Sequence, residues 1–137
     1  MPTQQPGPFN LATTYLRLRP DTSIETLPVN DEFWPRLMSG ALGTFHHEYL
    51  VTMHGFTADW PNWEQHPNGD EIVCLLEGRV TMVLEQDGRE RLVELSETGG
   101  YVLVSRGTWH TARTRTPCRM LFITAGEGTK HRPAGTA

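Results

Sequence analysis

The chain has 137 residues, 13 Gly, 10 Pro and a formal net charge of −4. That length holds one ordinary domain and not two, and a mildly acidic chain without a basic, aromatic-studded cluster is not expected to bind nucleic acid. No apolar run approaches the ~20 residues that span a bilayer, and Met1 is followed by Pro and Gln residues, not by a basic and apolar leader. A cytoplasmic protein with no membrane partner is expected.

Along the chain, residues 1–10 carry three prolines and one glycine and are expected to form a mobile arm. One domain is expected over residues 11–130, and a polar tail over 131–137. "TTYLRLR" reads as a strand stopped by Pro20. "NDEFWPRLMSG" reads as one short helix, with Asn30 or Asp31 as its cap, acids in the first turn, Pro35 early and Gly40 at its end. From Glu48 onward the pattern is strand after strand: "EYLVTMHGFT", "WEQH", "DEIVCLLE", then "RVTMVLEQDGRERLVEL" as two strands around Asp87-Gly88. "YVLVS", "HTART" and "RMLFIT" follow. About eight short strands with turns roughly every 8 to 12 residues indicate an all-β sandwich or barrel. Cys74 and Cys118 lie inside apolar runs and read as buried free thiols.

Glu64, His66 and Glu71 fall within eight positions. Alternate side chains on a strand share a face, so Glu64 and His66 point the same way if that segment is extended. Pro67, Asn68 and Gly69 then turn the chain, and Glu71 opens the next strand opposite the end of the last. Two carboxylates and an imidazole meet on one patch.

These residues resemble the cupins. The first cupin motif has the form G-x5-H-x-H-x3-4-E-x6-G, and Glu64, His66, Glu71 and Gly78 fit its spacing with Glu64 at the first His position. The second, G-x5-P-x-G-x2-H-x3-N, is matched in "GGYVLVSRGTWHTART" by Gly99, Gly107 and His110. Ser105 stands at its proline position and Thr114 at its asparagine position. The resemblance covers Glu48 to Thr124 and implies a double-stranded β-helix of the jelly-roll group with one short N-terminal helix.

It also implies a divalent metal held by Glu64, His66, Glu71 and His110. Two carboxylates with two neutral imidazoles favour Fe, Mn or Zn over Cu. Three versions stay open. All four residues ligate; or His66, Glu71 and His110 ligate alone, as in non-haem Fe(II) oxygenases, with Glu64 a free general base; or no metal binds and the catalytic pair Glu64 and Glu71 shares a proton, which raises one pKa. The bland alternative is a non-catalytic ligand-binding or sensing barrel whose four residues only satisfy one another.

Other residues read less sharply. His46 and His47, adjacent, would face opposite ways on a strand and suit a surface or interface role. His54 is expected to be a hydrogen-bonded core histidine, with the pocket mouth as the alternative, and His131 a solvated tail residue. Trp63 and Trp109 are expected to pack between sheets, not to cage a substrate; Trp60 fits either role. Strand parity turns Val73, Leu75 and Ala112 into the pocket with one of the sets Val80/Met82/Leu84 or Thr81/Val83. That lining suits a small, partly apolar organic ligand better than a sugar. The expected protein is a small metal-dependent dioxygenase, isomerase or lyase. It is expected to be a homodimer in which an N-terminal strand such as "TTYLRLR" pairs with the neighbouring subunit's sheet edge.

Overall fold

A computed structural model describes residues 5–135. The elements, in chain order, are β1 (Thr14–Leu18), β2 (Ile24–Pro28), α1 (Phe33–Met38), β3 (Tyr49–Phe56), β4 (Asn62–Gln65), β5 (Glu71–Glu77) and β6 (Val80–Gln86). Then come β7 (Arg89–Leu95), β8 (Tyr101–Val104), β9 (His110–Arg113), β10 (Cys118–Thr124) and β11 (Lys130–Pro133). They form a six-stranded sheet in the order β2-β1-β3-β10-β5-β8 and a five-stranded sheet in the order β11-β4-β9-β6-β7. Every pairing is antiparallel.

The local chemistry explains the strand joints. Asp87 and Gly88 both have positive φ, the requirement of a two-residue hairpin turn whose twist matches its strands. They close β6 onto β7 with Gln86 opposite Arg89. At the β5–β6 turn Gly78 has φ +86, and a Cβ there would lie 2.2 Å from the Pro117 carbonyl oxygen. Only glycine fits that crossing.

One end of the barrel is solid. Val73, Leu75, Val80, Met82, Leu84 and Ala112 belong to a single buried cluster with neighbours from β8 and β10. Met82 stands opposite Ala112 and Leu84 opposite His110, so the set Val80/Met82/Leu84 is the inward one. These residues were expected to line the pocket. They instead plug the barrel beneath it, because apolar side chains on facing strands meet one another and close the space.

Several other expectations need correction. β1 is an inner strand: it pairs with β2 on one side and β3 on the other within its own chain, so neither of its edges is open to a neighbouring sheet. β2 itself was not foreseen. Helix α1 has no side-chain cap and no acid in its first turn. Asn30 serves the turn ahead of it, its side-chain oxygen accepting from the Glu32 N–H. The tail expected over 131–137 contributes to β11, which pairs with β4; residues 136–137, like 1–4 of the expected arm, lie outside the described residues. Cys74 and Cys118 are free thiols, Cys118 buried and Cys74 half-buried.

Candidate metal centre

Three strands deliver the polar cluster. Glu64 on β4 stands directly opposite His110 on β9, and Glu71 at the start of β5 stands opposite Thr124 on β10. His66 follows β4 and is tied to the second motif through its carbonyl, which accepts from the Gly107 N–H at 2.9 Å. Asp70 reinforces the join by accepting from the Arg106 N–H. The two motifs are thus stitched by one backbone–backbone bond and one carboxylate–backbone bond, and the four expected residues converge.

His110 Nε2 lies 3.0 Å from Glu71 Oε1, and His66 Nε2 lies 3.3 Å from Glu71 Oε2 and 3.8 Å from Glu64 Oε2. His66, Glu71 and His110 are 4%, 2% and 0% exposed. Ligand atoms of Glu64, His66 and His110 lie within 4.8 Å of one another; Glu71 joins through its contacts with both imidazoles, not through Glu64.

The second nitrogen of each ring fixes the tautomer. His66 Nδ1–H donates to Thr129 Oγ1 at 2.8 Å, because that hydroxyl spends its own proton on the Gly126 carbonyl. His110 Nδ1–H donates to the Thr108 carbonyl at 3.0 Å. In the neutral rings both Nε2 lone pairs therefore aim at a carboxylate. Glu71 is held in turn by the Thr124 hydroxyl, which donates to Oε2 at 2.6 Å.

His66 Nε2, His110 Nε2 and Glu71 Oε1 are buried polar atoms without a hydrogen-bond partner. At 3.0 Å, His110 Nε2 and Glu71 Oε1 form a charge-assisted contact once the ring carries its second proton. Lone pairs facing a carboxylate in a buried space call for a positive charge between them, either a proton or a metal ion.

Without metal the protons supply it. Burial would raise the Glu71 carboxyl, but the contacts and charges of His110 and His66 outweigh burial and bring it down to about 2. Burial would lower His110, and Glu71 beside it raises it on balance. Glu71 is therefore not the raised member of a proton-sharing carboxylate pair, since His110 and then His66 hold it ionised. These directions set a stability window. The contribution of ionised Glu71 is present above its ordinary 4.5 and lost as pH falls towards 2. That of protonated His110 is complete below its ordinary 6.5 and lost as pH rises through the higher folded value. Chelator-treated protein should thus melt highest between pH 4.5 and 6.5, and zinc should abolish the alkaline decline by replacing the proton. A melting temperature of treated protein that stays flat from neutral to alkaline pH would contradict this.

The cluster forms one wall of a cavity of about 890 Å³. Trp34, Phe45, Leu50, Phe56, Trp60 and Phe122 make its apolar part, so helix α1 covers a site that was sketched without it. Trp60 is a lining residue, 6.4 Å from the His110 ring. Trp63 and Trp109 do not pack between the sheets. They lie beneath the Arg132 guanidinium at 5.1 and 4.6 Å, and Arg132 also pairs with Glu85. That clasp holds β11 in place and sets His131 opposite Glu64, with Nε2 3.5 Å from Glu64 Oε1. His131 is therefore a neighbour of the centre while staying 42% exposed, not a free tail residue. His46 and His47 stack at 3.8 Å in a turn where Phe45 and His47 have positive φ, and His46 faces Glu127. His54 lines the cavity and is not a hydrogen-bonded core residue.

No family profile matches the chain, and no curated protein does. Among solved structures it is similar to a cupin-2 domain protein from Shewanella frigidimarina, at 19% identity over 55% of this chain and 68% of that one, TM-score 0.47. An oxalate oxidase is 14% identical over 59% of this chain and 44% of that one, TM-score 0.50. A cupin superfamily protein from Desulfitobacterium hafniense is 17% identical over 56% and 65%, TM-score 0.46. The chain thus spans less than half of the oxalate oxidase. The likeness is one of fold, and the fold is the cupin double-stranded β-helix.

Proposed function

We propose that this cupin-fold chain holds one divalent metal ion at Glu64, His66, Glu71 and His110 and is an enzyme acting on a small organic molecule. One observation carries the reading: two buried imidazoles, each with Nδ1 committed as a donor, aim Nε2 at a buried carboxylate that leaves all three atoms without a hydrogen bond. The donor set of two nitrogens and two carboxylates suits Fe, Mn or Zn. Such an ion, when bound, supplies Lewis-acid polarisation of a substrate oxygen, with redox chemistry added for Fe or Mn.

The chain's own residues do the rest. Thr129 and the Thr108 carbonyl hold the imidazoles in one orientation. Thr124 anchors Glu71. Glu64 is the least buried of the four, its side chain 31% exposed and lining the cavity, so it is the ligand that a bound substrate meets first. Oxygenation, isomerisation and lyase chemistry all fit this arrangement.

Elemental analysis of protein purified without an affinity tag tests the reading. About one ion per chain is expected. No bound metal, even after anaerobic incubation with Fe(II), Mn(II) or Zn(II), would overturn it. The second reading, a metal-free ligand-binding barrel, is favoured by the Glu71–His110 pair, which neutralises itself with a proton alone.

A homodimer remains part of the proposal, by a different surface from the one first expected. Tyr101 and Leu103 on β8 are 62% and 63% exposed and continue the outer face of the six-stranded sheet from half-buried Ile72, Cys74 and Leu76 on β5. Covering that face would remove it from water. Leu103→Glu should convert a sedimenting dimer into monomer at micromolar concentration. A wild-type chain that sediments as a monomer there sinks the idea.

A further inference from the structure

We infer that the cavity accepts a neutral aromatic molecule with a hydroxyl at the end remote from the metal centre, and that His54 selects that hydroxyl. The inference deepens the proposed function, since it takes Glu64, His66, Glu71 and His110 as the reacting end of the cavity.

His54 sits on β3 with Thr52 and Phe56 on the same face, and all three line the cavity. Its ring is surrounded by aromatic groups: Phe122 at 5.5 Å, Trp34 at 5.7 Å and Tyr15 at 5.7 Å. Among the described residues neither ring nitrogen has a hydrogen-bond partner, and burial alone holds the imidazole below its ordinary pKa. A neutral imidazole in an apolar wall keeps one donor and one acceptor for whatever enters. Leaving both unmet against a bound hydrocarbon is costly, and meeting them is the reward for a polar ligand.

Register places His54 far from the reacting end. Met120 on β10 pairs with His54 and Leu75, whereas Thr124 pairs with Leu50 and Glu71. Four residues along the strands separate the two rungs, roughly 13 Å at 3.3 Å per residue, before the side chains reach towards each other. A ligand touching both ends is therefore elongated. Between the two rungs lies Phe122, with Trp60 in ring contact with both Phe122 and His110, which favours a flat, apolar middle.

Charge narrows the class further. No Lys or Arg is among the described residues lining the cavity, and its acids, Glu64, Glu71 and Glu127, belong to the part away from His54. A carboxylate or phosphate at the His54 end would find no counter-charge. A hydroxyl, which donates and accepts once each, matches the imidazole. An ammonium could use the aromatic faces and must be tested against it.

The test uses the full chain loaded with zinc, which is redox-silent, and reads the fluorescence of Trp34 and Trp60 in the cavity wall. The probes are 4-propylphenol, propylbenzene, 4-propylbenzoate and 4-propylbenzylammonium. The phenol should bind tightest, about fivefold more tightly than propylbenzene, the effect of one neutral hydrogen bond. His54→Phe, nearly isosteric, should erase that difference, and His54→Asn should retain part of it. The inference is overturned if wild type prefers the benzoate or the ammonium, or if phenol and hydrocarbon bind equally. It is also overturned if the phenol preference survives in a folded His54→Phe. The wild-type panel decides the ligand class even where a variant does not fold. Zinc measured on the same samples separates the two proposals. A zinc-loaded chain without phenol preference overturns this inference alone, and a chain that takes up none of Zn(II), Fe(II) and Mn(II) yet prefers the phenol supports it while overturning the metal centre.

Discussion

Replacing His66 and His110 together with Ala should remove stoichiometric metal from the protein. Each ring presents one Nε2 into the cluster and has its other nitrogen occupied by Thr129 or the Thr108 carbonyl. Removing both leaves two carboxylates, of which Glu64 is partly exposed and Glu71 buried. The loss in affinity should exceed the roughly 10–100-fold that follows loss of an outer partner. The substitution also strips Glu71 of the two groups that keep it ionised, so the carboxyl will take up a proton instead of standing as a buried charge. A thermal melt therefore accompanies the metal assay. Thr129→Val supplies a milder arm. It removes the acceptor of His66 Nδ1–H, along with the local bond to the Gly126 carbonyl, frees that ring to turn, and should weaken metal binding by about 10–100-fold with the fold intact. If the double variant still carries one ion per chain, the metal is bound elsewhere and the assignment of this cluster fails.

What could be read from the chain and what could not divide along a physical line. The convergence of Glu64, His66, Glu71 and His110 was legible because strand alternation and a tight turn at Pro67–Gly69 are local rules. The motif spacing then carried the long-range step from β4 to β9, confirmed by Glu64 standing opposite His110. The hairpin at Asp87-Gly88 was legible for the same local reason. The groups that orient the imidazoles were not. Thr129 lies 63 positions from His66 and the Thr108 acceptor is a backbone carbonyl, so neither leaves a pattern. β11 escaped because its residues, Lys130–Pro133, have no apolar alternation; it is held by Arg132 over Trp63 and Trp109, a contact with no periodicity. His54 was placed on the correct face, and of its two readings the structure fits the pocket and not the hydrogen-bonded core. Parity gives direction but cannot say whether the space ahead is packed or open. The same gap turned Val73 and Leu75 into expected pocket lining, although Met82 and Ala112 across the barrel fill that space.

Glu64→Gln and Glu64→His should separate the roles open to the one residue that departs from the cupin pattern. Its Oε2 lies 3.8 Å from His66 Nε2 and its Oε1 3.5 Å from His131 Nε2, so it stands between the buried cluster and the cavity. A ligand role predicts that Glu64→His keeps its metal, because an imidazole reaches about as far and donates a nitrogen lone pair. The preferred ion would then move towards softer, nitrogen-loving metals. Glu64→Gln would bind more weakly, since a neutral amide is a poorer ligand than a carboxylate. A general-base role predicts the reverse pattern for the amide: full metal content, and turnover reduced by roughly a hundredfold or more. In the metal-free reading no variant binds metal, and ligand affinity follows the protonation of the pocket acids and imidazoles. Metal stoichiometry of wild type, Glu64→Gln and Glu64→His, measured side by side, tells the three apart. We expect the ligand pattern, since Glu64, His66 and His110 present atoms within 4.8 Å of one another. Undiminished occupancy and affinity in Glu64→Gln would remove Glu64 from the ligand set and leave His66, Glu71 and His110 as the centre.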